Sequence, residues 1–260
     1  MPKFAILVLS SKTDPYVSFR RAQEETWVLD AEREGIPVFF AEGIGTNINP
    51  NLYKNIDVTQ NMDTLEVDCS DTLKGTLLKT ITSLRYIFSF YEVNYVLRTN
   101  LSSFINISQF LKCASDKCFN DTTYAGVVGK TRTLREFIYI NEFYKLSTLS
   151  SFCDFWARTV NFASGAAFVI GRQKFNDLEG TKKFRNFIDD VGVGYHLNIA
   201  RNSIQDLERF SLSLQDFQKN ILSNCSHDIF LQNNGFHYRC KNINRSDDIQ
   251  LIKKLGEYFG

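Results

Sequence analysis

Two adjacent carboxylates, Asp189 and Asp190, open the glycine-containing stretch DDVGVG at residues 189–194. Adjacent carboxylates repel each other, so one of them can have a raised pKa that suits a general base. The glycines would let a substrate approach the backbone closely. A solvated turn that caps a helix over residues 193–200 would account for the same sequence pattern. The pattern alone leaves both interpretations open.

A second candidate site is the polar end of an apolar strand. Residues 95–99 (YVLRT) predict a short buried strand, and the polar stretch 100–103 (NLSS) follows it. Polar residues at the carboxyl end of a buried strand are where an α/β protein places a ligand. The alternative is a cap for the helix predicted over residues 107–113.

A third candidate is a basic cluster near the end of the chain. His237 is one of three histidines, and it lies close in sequence to Arg239, Lys241 and Arg245. One imidazole and three cations would suit a diphosphate. A solvated basic strand is the alternative interpretation.

Composition and missing motifs exclude several function classes. Thirty Lys and Arg against 29 Asp and Glu leave a net charge of +1, which predicts no nucleic-acid partner. There is no phosphate-binding loop, dinucleotide fingerprint, zinc-protease motif or hydrolase elbow. The longest N-terminal apolar run is too short for a membrane span or a signal segment. Six cysteines without paired spacing then predict reduced thiols and a cytoplasmic location.

The elements that would position these residues alternate between strand and helix. Strands are predicted over residues 3–10, 36–41, 95–99 and 124–128, and residues 163–170 predict a small-residue turn leading into another strand. Helices are predicted from residue 15 to about 34, from residue 70 to 91, and from residue 246 to 258. This alternation indicates an α/β sheet with helices on its faces, whose ligands bind beyond the carboxyl ends of the strands.

Five stretches, read in order, resemble the β-1,3-galactosyltransferase and fringe family. They are the first strand with Arg20-Arg21 and Thr26-Trp27, Asp71 with Lys79-Thr80, residues 95–104 (YVLRTNLSSF) at the family's "YVLKTDDDVF" strand, residues 162–169 (FASGAAFV), and residues 189–194 at the family's "EDV..G". The resemblance implies a GT-A type fold and an inverting transferase that uses a nucleotide-sugar donor, with a UDP-sugar favoured. We therefore expect one domain over residues 1–260 with a mixed, mostly parallel sheet flanked by helices. Residues 1–130 would form its nucleotide-binding half and residues 131–260 its acceptor-side half.

The resemblance also implies roles for individual residues. Asp190 would be the general base that takes the proton from an acceptor hydroxyl of a glycan. Ser164, Gly165 and Asp189 would bind the acceptor. The expected donor-binding residues are Ser10, Ser11, Arg20, Asp71, Lys79, Arg98, Thr99, Asn100, Ser102, His237, Arg239 and Lys241.

The sequence departs from the family where the family binds metal. Asn100, Leu101 and Ser102 replace the acidic strand end, and amide and hydroxyl oxygens are poorer ligands for a hard cation. Three explanations stay open. Arg98, Arg239, Lys241 or Arg245 neutralise the leaving diphosphate without metal, which is the explanation we favour. Alternatively, Mn²⁺ or Mg²⁺ binds weakly through the donor phosphates with Asn100, Ser102 and His237, or the domain is an inactive carbohydrate-binding protein. A chain without a leader would be a bacterial or viral member, working in the host cytoplasm if viral. The sequence says nothing about oligomeric state.

Overall fold

A mixed eight-stranded sheet forms the centre of the protein. The structure, a computed structural model, describes residues 3–133, 135–136, 158–181, 183–222 and 235–260. The strand order is β3-β4-β2-β1-β5-β8-β7-β9. β1, β2, β4 and β5 run parallel to one another, whereas β3 and β8 pair antiparallel with their neighbours. The strands of this sheet are β1 Phe4–Leu9, β2 Val38–Gly43, β3 Val58–Asn61, β4 Thr64–Val67, β5 Tyr95–Asn100, β7 Tyr124–Arg132, β8 Thr159–Gly171 and β9 Gln205–Asp206.

Helices cover both faces of the sheet and close two apolar cores. One core collects Phe19 and Trp27 from the first two helices, and the other collects Leu77, Ile81 and Leu84 from the third. The described helices, numbered here in chain order, are α1 Tyr16–Glu24, α2 Trp27–Arg33, α3 Thr76–Phe90, α4 Ile107–Asp116, α5 Arg172–Glu179, α6 Asp189–Leu197, α7 Leu214–Leu222 and α8 Arg245–Phe259. The expected single α/β domain with a mixed sheet flanked by helices is confirmed.

The central strands β1 and β5 determine where a ligand can bind. Their apolar residues are buried on both faces, and their parallel pairing aligns Leu9 with Asn100. The chain leaves both strands at the same edge of the sheet, so the residues after Leu9 and those around Asn100 lie side by side. This is the edge at which α/β sheets bind ligands.

A second, three-stranded sheet brings the end of the chain back to this edge. It has the order β10-β11-β6, with β6 Ser103–Ile105, β10 Phe210–Leu212 and β11 His237–Cys240. β11 pairs antiparallel with β6, which places Arg239 opposite Ser103. The basic segment therefore reaches the polar end of β5, although more than 130 residues separate them in sequence.

Several element boundaries differ from the sequence-based expectations, among them the following three. The helix predicted from residue 15 to 34 is interrupted, because the Thr26 hydroxyl donates to the Ala22 carbonyl and the backbone of Thr26 is not helical. Residues 163–170 lie wholly within β8, where the pairing with β7 shifts between Gly126 and Val128. The helix expected to open at residue 193 instead begins at Asp189.

Two further expectations concern the cysteines, predicted to be reduced thiols, and the predicted lack of a membrane span. Cys69, Cys113, Cys118 and Cys240 are free thiols, whereas Cys153 and Cys225 lie outside the described residues. No helix in the described ranges is long and apolar enough to cross a membrane.

Candidate active site

An open cleft of about 430 Å³ lies at the carboxyl ends of β1 and β5. It is walled by the segments after β1, the start of α3, the middle of β8 and the first turn of α6. Its lining contains most of the predicted site residues, namely Ser10, Ser11, Asp71, Lys79, Arg98, Asn100, Ser102, Ser164, Gly165, Asp189, Asp190 and Arg239. Segments distant in sequence thus meet at one cleft.

Asp190 presents a carboxylate to this cleft from the first turn of α6. One oxygen accepts a 2.6 Å hydrogen bond from the Gly165 backbone N–H, and the other accepts a 2.8 Å bond from the Val191 N–H. Burial and the neighbouring Asp189 charge raise the pKa of Asp190 to about 6, although both N–H groups and Arg98 oppose the shift. A carboxylate with such a pKa is ionised at neutral pH and basic enough to take a proton.

Asp189 occupies a different environment from its neighbour. It is buried, its carboxylate lies 2.5 Å from a guanidinium nitrogen of Arg98, and it accepts a 3.1 Å hydrogen bond from the Thr80 hydroxyl. Both contacts are made to Oδ2 of Asp189, which forms a buried ion pair and also lines the cleft, so its acceptor-binding role stays a prediction. Within the described residues, Nε and Nη1 of Arg98 are buried and have no hydrogen-bond partner.

The cleft lining contains a second ion pair, between Lys79 and Asp71. The Lys79 ammonium bonds to the Asp71 carboxylate at 2.6 Å and to the Ser10 carbonyl at 2.8 Å. The Gly43 N–H also donates to Asp71, at 3.3 Å. These bonds fix Asp71 at the edge of the cleft and explain why Lys79 is buried on α3.

The end of β5 does not form a site that suits a divalent cation. The side-chain oxygen of Asn100 already accepts hydrogen bonds from the Ser102 hydroxyl at 3.1 Å and the Ser103 hydroxyl at 2.9 Å. Leu101 is apolar and buried. No group of three His, Cys, Asp or Glu side chains that could hold a metal ion occurs in the part of the chain described. The residues at this position do not fit the metal that the family resemblance implies.

His237 was predicted to bind the donor or a metal, and its side chain is not among those that line the cleft. Its ring is buried, and its Nε2 atom lies 2.9 Å from the Ser103 hydroxyl. Burial, with the nearby charges of Arg209 and Arg239, lowers the pKa of His237 to about 3. The imidazole is therefore neutral at physiological pH and contributes no positive charge to a diphosphate site.

Three more predicted donor-binding residues lie outside the cleft lining. Arg20 forms ion pairs with Glu24, Glu42 and Asp63, so its guanidinium is already neutralised. Thr99 is fully buried and donates to the Ala166 carbonyl, because the alternation of β5 turns it away from the cleft.

Lys241, the third of these, is exposed just beyond the end of β11. For all three residues, a direct contact with the donor stays a prediction.

The structure also adds residues that sequence reasoning missed. Tyr16 and Leu73 line the cleft near Asp71 with partly exposed apolar surfaces. Arg209 donates a 2.9 Å hydrogen bond to the Ser164 hydroxyl. The position of Tyr16 just after the first strand was a usable signal, whereas nothing in the local sequence around Arg209 indicates a site.

The fold and the sequence together identify the class of protein. The sequence profile of the galactosyltransferase family matches residues 18–208, which is more than half of the chain. The chain belongs to this family, and it is a glycosyltransferase. A comparison with curated protein sequences finds no match.

Several solved glycosyltransferase structures are similar at low sequence identity. One is a glycosyltransferase involved in the glycosylation of the major capsid of PBCV-1, with a TM-score of 0.47, 8% identity, and coverage of 96% of this chain and 99% of that one. Another is the galactosyltransferase LgtC in complex with donor and acceptor sugar analogues, with a TM-score of 0.44, 10% identity, and coverage of 98% and 95%. A third is GlyE from Streptococcus pneumoniae TIGR4, with a TM-score of 0.39, 12% identity, and coverage of 93% and 56%.

Proposed function

We propose that the protein is an inverting glycosyltransferase that moves a sugar from a nucleotide-sugar donor to a hydroxyl of a glycan acceptor. One observation carries this proposal: the Asp190 carboxylate faces the cleft, held by two backbone N–H groups, with its pKa raised to about 6. A base so fixed is ready for proton transfer without rearrangement of its own side chain.

The reaction needs a single displacement at the anomeric carbon. The acceptor oxygen forms a bond to that carbon while its proton passes to Asp190. The bond between the anomeric carbon and the diphosphate oxygen breaks, and its electron pair stays on the diphosphate. Attack opposite the leaving group inverts the configuration of the sugar.

The donor nucleotide is assigned to the end of the cleft near Tyr16, Leu73 and Asp71. The aromatic ring of Tyr16 and the side chain of Leu73 offer apolar surface for a base, and Asp71 can accept a hydrogen bond from a base N–H or a ribose hydroxyl. Ser10 and Ser11 line the same end. We favour a UDP-sugar because the chain belongs to the galactosyltransferase family.

The acceptor is assigned to the side of the cleft formed by the middle of β8. Ser164 and Gly165 line it there, and Gly165 holds the base through its N–H. An acceptor hydroxyl that reaches Asp190 passes over these two residues, so their small size leaves room for the sugar ring.

Donor hydrolysis across a panel of UDP-, GDP- and TDP-sugars tests this function first. Turnover of one donor is expected, with a loss of about 10²–10⁴ in kcat for Asp190→Asn and a smaller loss for Asp190→Glu. The anomeric configuration of a transfer product, read by NMR, tests inversion. A folded Asp190→Asn variant with full turnover would exclude Asp190 as the base. Glycan binding without any nucleotide binding would instead support a carbohydrate-binding domain.

We also propose that the protein acts in the cytoplasm of a bacterium or of a virus-infected host. The four free thiols support a reducing compartment, since buried Cys69 and Cys240 and the more accessible Cys113 and Cys118 are all unpaired. Thiol labelling of protein isolated without reductant should modify Cys118. Native disulfides in that material would contradict this location.

A further inference from the structure

The polar end of β5 receives a cation from another strand, at the position where the family resemblance implies metal-binding carboxylates. The pairing of β11 with β6 places Arg239 opposite Ser103, and the Cys240 N–H donates to the Ser102 carbonyl at 2.9 Å. The location of Arg239 is therefore determined by main-chain hydrogen bonds to the strand-end motif itself.

Arg239 lines the cleft and is half-buried there. Among the residues described, no side chain or carbonyl forms a hydrogen bond or an ion pair with its guanidinium. Arg245 also lines the cleft, but its guanidinium is paired with the buried carboxylate of Asp248 at 2.7 Å. Arg239 is thus the cation of this pair whose five donors remain available to a ligand.

A second guanidinium lies close to the first. Arg209 bonds to the Ser164 hydroxyl, and burial together with the charge of Arg239 lowers the pKa of Arg209. Two like charges held near each other beside the cleft repel, and a bound anion between or beside them relieves the repulsion. Among the described residues, the charge of Asp190 opposes this lowering of the Arg209 pKa.

The amide of Asn100 is oriented to support an anion as well. Asn100 lines the cleft, and because its oxygen accepts from Ser102 and Ser103, its NH₂ group is the part that can bond to a ligand. An NH₂ group donates hydrogen bonds and does not ligate a cation. The end of β5 therefore offers a hydrogen-bond donor where the carboxylates of the family would offer acceptors.

We propose that Arg239 binds the diphosphate of the donor in place of a divalent cation, with Arg209 adding a second charge and orienting Ser164. This inference rests on the proposed function, and it specifies that the donor site works without metal. As the bond to the anomeric carbon breaks, the electron pair and its negative charge remain on the leaving nucleoside diphosphate, beside the Arg239 guanidinium. A planar guanidinium can bond two phosphate oxygens at once, which suits this role.

Calorimetric titration of the whole protein with UDP and with UMP, in EDTA and then in Mn²⁺, tests the proposal. UDP carries the β-phosphate that Arg239 would bind, whereas UMP lacks it. In EDTA, the wild-type protein should bind UDP tighter than UMP by about tenfold or more. Arg239→Gln should lose most of that preference while keeping its affinity for UMP, and Arg239→Lys should be intermediate.

Arg201→Gln is the matched control, because Arg201 is exposed and does not line the cleft. It should keep the preference of the wild-type protein. Circular dichroism and thermal unfolding establish that each variant is folded.

Two results would overturn the inference alone: UDP binding that requires Mn²⁺, or a UDP preference that survives in Arg239→Gln. Absence of binding by both nucleotides to the wild-type protein, with and without metal, would overturn the inference together with the proposed donor. The two failures are thus distinguishable.

Discussion

The Gly165 backbone N–H donates a 2.6 Å hydrogen bond to the Asp190 carboxylate, joining the middle of β8 to the first turn of α6. The bond lies between Ala167, the last residue of β8 that pairs with β5, and Ala163, at which the pairing of β8 with β7 resumes after the shift. The three residues between these pairs are released from the ladders. One of them can therefore use its N–H to position a side chain.

The pH dependence of turnover should report the raised pKa of Asp190. Because this pKa is raised to about 6, the carboxylate is protonated and inactive as a base below that pH. We expect kcat/KM to fall about tenfold per pH unit below about pH 6, and to level off above it. The residual activity of Asp190→Asn should lack this acidic limb. A wild-type profile that stays flat from pH 7 to pH 4.5 would contradict the assignment.

Gly165→Ala should impair catalysis through the position of Asp190. A Cβ atom at residue 165 would lie 3.0 Å from both Cγ and Oδ2 of Asp190, so the carboxylate must move. A displacement of a few tenths of an ångström up to 1 Å should lower kcat by about 10–100-fold. Gly180→Ala is the control, because its nearest neighbour is the Asp177 carbonyl at 3.3 Å and it lies at the end of α5. Equal turnover of both variants would show that the fit at Gly165 is unimportant.

The buried pair between Arg98 and Asp189 should dominate the stability of this region. Asp189→Ala leaves the Arg98 guanidinium buried without its counter-ion, and we expect a loss of about 3–5 kcal/mol in the free energy of unfolding. The double variant Arg98→Met with Asp189→Leu removes both charges and should lose less. Urea unfolding measures both values. A double variant less stable than the single one would argue against this account.

Tyr16→Ala should weaken donor binding without harming the fold. The Tyr16 side chain is 39% exposed and lines the nucleotide end of the cleft, so its removal costs little packing. Stacking of a base on an aromatic ring contributes about 1–3 kcal/mol, which predicts a rise in the donor KM of about fivefold or more at similar kcat. Tyr16→Phe keeps the ring and should behave as wild type. A KM unchanged in Tyr16→Ala would place the base elsewhere.

Much of the site was predictable because its members follow apolar strands or open a helix. The buried runs of β1 and β5 predicted the edge where Ser10 and Asn100 lie, and the adjacent carboxylates predicted a base with a raised pKa. The order of the motifs predicted the galactosyltransferase family, which the sequence profile confirms. The donor-binding and acceptor-binding assignments of the residues that do line the cleft stay predictions.

Three predicted donor-binding residues do not line the cleft, for a shared physical reason. His237 and Thr99 are polar residues in segments that the sequence marks as candidate sites, yet both are buried and bonded to neighbouring groups. Arg20 looks like a free cation in the sequence, but carboxylates from α1, β2 and the turn before β4 surround it. A sequence gives residue types and local periodicity, whereas the partner that neutralises a charge comes from a distant segment.

The sequence by itself determined the alternation of strands and helices, the family, and the loss of the acidic strand end. Each of these depends on residues that are close together in the sequence. Only the tertiary structure decided which of the two adjacent carboxylates forms an ion pair, since Arg98 of β5 pairs with Asp189, whereas Asp190 accepts from the Gly165 N–H. It also decided that Arg239 reaches the end of β5 while His237 is buried. The two residues are two positions apart and share a face of β11. The pairing of β11 with β6 places Arg239 opposite Ser103, at the end of β5, and the buried His237 opposite Ile105.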